Sequence, residues 1–79
     1  IRVLHEDVHW VRPDLALIKK QSMDVLARIR YRQPLDKATI YNQNDAFYVI
    51  FEKPKSSIAE GQFVTWYLKD ELIGSGSIS

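Results

Sequence analysis

The chain has 79 residues, 46% of them hydrophobic, with no cysteine and a formal net charge of +1. That makes one domain, near the lower size limit for a self-supporting core. It excludes disulfides, a thiolate metal site and a cysteine nucleophile, and no apolar run approaches the roughly 20 residues that span a bilayer.

The charge is spread unevenly. Residues 19–37 hold Lys19, Lys20, Arg28, Arg30, Arg32 and Lys37 against only Asp24 and Asp36, while the flanks are net acidic. A local basic zone on a nearly neutral domain fits an oriented anionic partner better than a DNA coat; a solvated charged face is the plainer alternative. The absence of cysteine and of an export segment fits a cytoplasmic protein. The first residue is Ile1, not Met, which reads as a piece of something longer.

In chain order, Ile1 to Leu4 form an apolar start, followed by a polar turn and then Val8, Trp10 and Val11. Pro13 stops this segment, and Trp10 is expected to anchor it on the core. Residues 14–20 fit a short helical turn or an irregular connection equally well. Residues 23–33 read as a strand, with Val25, Ala27, Ile29 and Tyr31 on one face and Arg28, Arg30 and Arg32 on the other. Pro34-Leu35-Asp36 is a turn, Lys37 to Tyr41 a strand, and Asn42 to Asp45 a polar hairpin turn. Ala46 to Glu52 is the clearest strand; being apolar on both faces, it is central or meets another domain. Lys53 to Ser57 is a loop, and Gly61 sits where a positive φ is needed. Phe63 to Leu68 and Leu72 to Ile78 are the last strands, joined at Lys69-Asp70-Glu71. Gly74 and Gly76 mark a bulge or a close backbone approach. The expected fold is all-β: one barrel domain over residues 1–79, closed or nearly closed, of five to six strands, with residues 1–22 as a lead-in and 23–79 as the barrel.

Catalytic signals are few. Gly74-Ser75-Gly76 has no helix after it to bind a phosphate, and the carboxylates are scattered in turns. His5-Glu6-Asp7-Val8-His9 spells the zinc-protease H-E-x-x-H, but Pro13 leaves no room for the long helix that spacing requires. No catalytic residue and no metal are expected. Binding is better supported. Arginines on a rigid strand present planar donor forks that match phosphates, and an outward aromatic such as Tyr31 stacks a base. Alternation, however, turns Tyr31 away from Arg30 and Arg32. Gln62, just after Gly61, starts a strand where a rim side chain reaches a ligand, or it is an ordinary turn glutamine.

Four stretches carry a family resemblance: Glu6-Asp7-Val8-His9-Trp10-Val11; Ala27-Arg28-Ile29-Arg30-Tyr31-Arg32-Gln33; Phe51-Glu52-Lys53-Pro54 with Ala59-Glu60-Gly61-Gln62; and Leu72-Ile73-Gly74-Ser75-Gly76-Ser77-Ile78. In order and spacing the chain resembles the C-terminal barrel of the bacterial tRNA-specific 2-thiouridylase family. It departs from the family pattern at Glu60, where proline is usual, at Lys69-Asp70, where Asp-Gly is common, and at Ser75 within a triple glycine. The resemblance implies a barrel similar to the second domain of elongation factors, which helps seat tRNA for an enzyme that uses ATP to thiolate the wobble uridine. It implies that ATP and the catalytic cysteines belong to the parent's N-terminal domain, so this stretch has no cofactor. It implies as partners tRNA, the N-terminal and central domains of the same chain and a sulfur-relay donor protein, with no membrane. Carried over by match, Arg30, Tyr31 and Gln62 are tRNA-contact positions; Arg28 and Arg32 are added on electrostatic grounds. The alternative is an RNA-binding or domain-docking barrel of a translation-factor-like protein.

Overall fold

In a computed structural model the described residues are 1–17, 21–29, 33–55 and 58–79. They form seven strands: β1 (Arg2–Leu4), β2 (Val8–Trp10), β3 (Ser22–Arg28), β4 (Asp36–Asn42), β5 (Ala46–Phe51), β6 (Phe63–Leu68) and β7 (Glu71–Ser77). All pair antiparallel in one sheet, in the order β1-β5-β4-β3-β6-β7-β2. Two short 3-10 turns, His5–Asp7 and Pro13–Leu15, are the helical elements of the described residues.

Alternation builds the core. Val25 and Ala27 of β3, Ala38 and Ile40 of β4, Phe47 and Val49 of β5 and Val64 and Trp66 of β6 turn inward and are buried together. Trp10 packs edge-on against Trp66 and Phe47, with ring centres 5.5 and 5.7 Å away, so it anchors the first segment as expected. Molecular extents of 28 × 26 × 19 Å are too deep for a flat sheet, so the sheet curls around this core.

The expected barrel needs two corrections. The described residues form seven strands, not five or six, because residues 1–10 contribute β1 and β2 at opposite ends of the sheet. The hydrogen-bonded ladder among the described residues also stays open. β1 and β2 are its two edges, and the 3-10 turn His5–Asp7 joins them through the chain rather than through strand pairing. Past the end of β7, the Ser79 N–H donates to the Arg2 carbonyl at 2.9 Å, bringing the β1 edge close to β7.

The strand expected over 23–33 is seen as β3 over Ser22–Arg28; Arg30, Tyr31 and Arg32 lie outside the described residues, as do residues 18–20 of the ambiguous 14–20 stretch. Both glycine expectations in β7 hold. The register slips between Trp66 and Tyr67, leaving Ile73 as the extra residue; its carbonyl accepts the N–H groups of Val11 and Arg12. A Cβ on Gly74 would lie 2.5 Å from Trp66 Nε1, and one on Gly76 2.5 Å from Val3 Cγ1, so both glycines let a core side chain reach the backbone. Gly61 has φ +86°, as its turn requires.

Candidate functional site

Arg28 is the last residue of β3, paired with Thr65 of β6 and half-buried on the outer face. Its Nη2 donates to the Tyr67 hydroxyl at 3.1 Å, and its guanidinium carbon lies 5.4 Å from the centre of the Tyr67 ring. The Thr65 hydroxyl donates to the Arg28 carbonyl at 3.4 Å. The cation is therefore held in place by an aromatic ring that the strand pattern puts on the same face. A guanidinium so oriented loses less side-chain entropy when it meets an anion than a free one does.

Gln62 immediately precedes β6 and is half-buried. Its Oε1 accepts the Ala59 N–H at 2.9 Å, while its backbone N–H donates to the Ala59 carbonyl and its own carbonyl accepts the Ile78 N–H at 2.7 Å. Because a backbone N–H must meet oxygen, this fixes the amide orientation. The amide nitrogen has no hydrogen-bond partner among the described residues and is left as a donor at the rim.

Gln62 and Thr65 are three positions apart, about 10 Å along the chain, so Gln62 and Arg28 lie at one end of the sheet. Of the six cations in residues 19–37, only Arg28 and Lys37 are described; Arg30, Tyr31 and Arg32 are not.

The H-E-x-x-H stretch takes another role. His5 to Asp7 form a 3-10 turn and His9 sits in β2, so the two imidazoles do not share a helical face. His5 Nε2 lies 2.8 Å from Asn42 Oδ1, and its ring meets Phe47 edge-on. Since Oδ1 only accepts, Nε2 carries the proton in this contact. Among the described residues no three metal-ligating side chains cluster. Gly74-Ser75-Gly76 lies inside β7, packed by Trp66 and Val3, which leaves no cradle for a nucleotide phosphate.

Two features escaped the sequence reading. Asn42, expected in a turn, is the last residue of β4 and buried. Beyond its contact with His5, its Nδ2 donates to the Leu17 carbonyl at 2.9 Å and its N–H to the Gln21 carbonyl. The other is the outer face of β6. Phe63 is 62% exposed, the most open large hydrophobic side chain among the described residues. The period-2 pattern Phe63-Val64-Thr65-Trp66-Tyr67 holds this information, but aromatics on both faces hide which one is buried.

Comparison with known proteins places the chain in context. The family model described as "Aminomethyltransferase beta-barrel domain" matches residues 2–78. The tRNA-specific 2-thiouridylase MnmA of Flavobacterium johnsoniae is 57% identical over 75 residues, covering 95% of this chain and 19% of that protein. The same-named protein of Christiangramia forsetii is 52% identical over 77 residues, 98% of this chain and 20% of its own length. That of Halalkalibacterium halodurans is 38% identical over 72 residues, 90% and 19%. The chain thus spans about a fifth of the curated relatives it matches.

Proposed function

The chain belongs to the aminomethyltransferase beta-barrel domain family, and from that premise we propose that it is the tRNA-seating domain of an ATP-dependent tRNA 2-thiouridylase. The observation that carries this reading is the 57% identity to a tRNA-specific 2-thiouridylase across 95% of the chain. In this reading the domain contributes no catalytic group. The parent enzyme, a tRNA-uridine 2-sulfurtransferase, activates the wobble uridine with ATP and replaces its 2-oxygen with sulfur, using residues outside this stretch. The parent works in the cytoplasm with a sulfur-relay donor protein.

Arg30, Tyr31 and Gln62 are the proposed tRNA contacts, with Arg28 and Arg32 adding positive charge. Gln62 supports its part through the oriented, unpartnered amide nitrogen described above. Arg28 supports its part through the ring that holds its guanidinium. The outer face of β4 and β5, where Ile50 is 52% exposed and Tyr41 36%, is the surface we assign to the N-terminal and central domains of the same chain.

The test is tRNA binding by the full-length protein across a salt series. Arg30→Ala should flatten the slope of log affinity against log salt by about 1, the loss of one phosphate contact. Gln62→Ala should weaken binding without changing the slope. Unchanged affinity and slope in both variants would remove the seating role and leave a barrel that only docks other domains.

A further inference from the structure

The strand register lines up outward side chains across four strands. Arg28 of β3 pairs with Thr65 of β6, Thr65 with Ser75 of β7, and Ser75 with His9 of β2. Directly paired residues share a face, so these four form one transverse row of roughly 14 Å at the usual strand spacing. A second row begins alongside it, with Phe63 of β6 opposite Ser77 of β7.

Each position has a distinct chemistry. Arg28 is a cation whose orientation Tyr67 fixes. Thr65 and Ser75 bring hydroxyls, and His9 is an exposed imidazole. No carboxylate occupies a position in either row. Phe63 is 62% exposed yet sits on a paired strand, and the small side chains of Thr65 and Ser77 leave its ring face open. Water leaves such a ring at a gain only if something flat or apolar covers it. A hydroxyl row ending in a guanidinium and an imidazole favours a sugar–phosphate chain over an apolar protein face. Gln62 immediately precedes Phe63, so the rim site lies at the same end of the sheet.

We propose that the outer face of β3, β6, β7 and β2 is a further RNA-binding surface, on which Phe63 stacks an unpaired base while the Arg28–Thr65–Ser75–His9 row follows the adjoining sugar–phosphate backbone. The inference rests on the tRNA-seating reading above. It adds a second aromatic contact to the one proposed for Tyr31. It also gives His9, left over from the H-E-x-x-H stretch, a place on a ligand surface without a metal.

The experiment uses the full-length protein and an unmodified tRNA transcript. Phe63→Ala should weaken binding about five- to hundredfold, the range set by loss of one base–aromatic stack, and leave the salt slope unchanged. Phe63→Trp, which keeps a π-face, should bind within about threefold of the parent protein. Transcripts carrying 5-iodouridine should photocrosslink at Phe63. If Gln62→Ala and Arg30→Ala weaken binding while Phe63→Ala does not, the stacking surface falls and tRNA seating stands. If none of the three matters, both fall. If Phe63→Ala lowers the melting temperature of the full-length protein but not its tRNA affinity, the face covers another protein domain and the proposal is overturned.

Discussion

Single residues show where this fold spends its specificity. Asn42 holds three segments: its side-chain amide meets the His5 ring and the Leu17 carbonyl, and its backbone N–H meets the Gln21 carbonyl. Replacing it with leucine keeps the volume and the backbone bond but leaves the part-buried contacts to the His5 ring and the Leu17 carbonyl unmade. The expected cost is about 1–3 kcal/mol, the penalty for buried polar groups left unpaired, measured by urea denaturation. A change within about 0.5 kcal/mol, typical of a plain surface site, would contradict the burial described here. Gly74 tests the opposite limit. A methyl group there meets Trp66 Nε1 at 2.5 Å, against a fully buried ring that fills the core. Gly74→Ala should therefore destabilise by about 1–3 kcal/mol through overpacking and alter the near-ultraviolet dichroism of the tryptophans. The glycine was visible in the sequence as a close approach, because no other residue type reads that way in a strand. Asn42 was not, because an asparagine between two strands looks the same whether it turns the chain or caps a strand from inside.

At the scale of elements, the β6–β7 hairpin turns at Lys69 and Asp70, and Lys69 takes φ +55°. An L-residue with a Cβ carries a strain of about 1–2 kcal/mol in that region, which glycine avoids. Lys69→Gly should thus raise stability by about 1 kcal/mol or somewhat less, once the added freedom of the unfolded chain is deducted. A lower denaturation midpoint for Lys69→Gly would show that the lysine holds that conformation without strain. Charge ties this same end of the hairpin to the first segment. Arg12 bonds Asp14 at 2.7 Å and Glu71 at 2.6 Å, joining the 3-10 turn after β2 to the start of β7. The hydrogen bond from Arg12 holds the Asp14 carboxyl below its ordinary 3.8. A carboxyl lowered on folding stabilises above its unfolded value and loses that contribution as pH falls toward the folded one. The stability gap between the parent protein and Arg12→Gln should therefore be largest near neutral pH and narrow as pH drops below 3.8; a gap independent of pH would mean the ion pair contributes nothing. These charges are exposed, so the effect is small and salt-sensitive. Such pairings were illegible beforehand: Arg12 and Glu71 lie 59 residues apart, and only the β2–β7 ladder brings them together.

For the whole molecule, the strands from β4 onward were legible because period-2 alternation, polar turns and glycine punctuation agree. The strand order was not, because the same short strands fit several curled sheets and nothing local says which edges meet. The lead-in is where this matters most. Residues 1–10 looked peripheral, four apolar residues and a tryptophan around a polar turn, yet they supply both edges of the sheet. Val3 is fully buried against Gly76, and Trp10 covers Trp66 and Phe47. Without β1 and β2, β5 and β7 would expose unpaired backbone, and the rings of Phe47 and Trp66 would lose their cover. A single large buried side chain removed from a core already costs about 2–5 kcal/mol, and a domain of this size has little more than that in reserve. A chain starting at residue 23 should therefore fail to unfold cooperatively in urea, whereas residues 1–79 should show one sigmoidal transition. If both give the same midpoint, the edge strands are decoration and the barrel proper begins at β3. If the shorter chain is molten, RNA-binding loss on its truncation says nothing about contacts. Point substitutions on the outer face, which leave both edges in place, are then the variants that separate seating from folding.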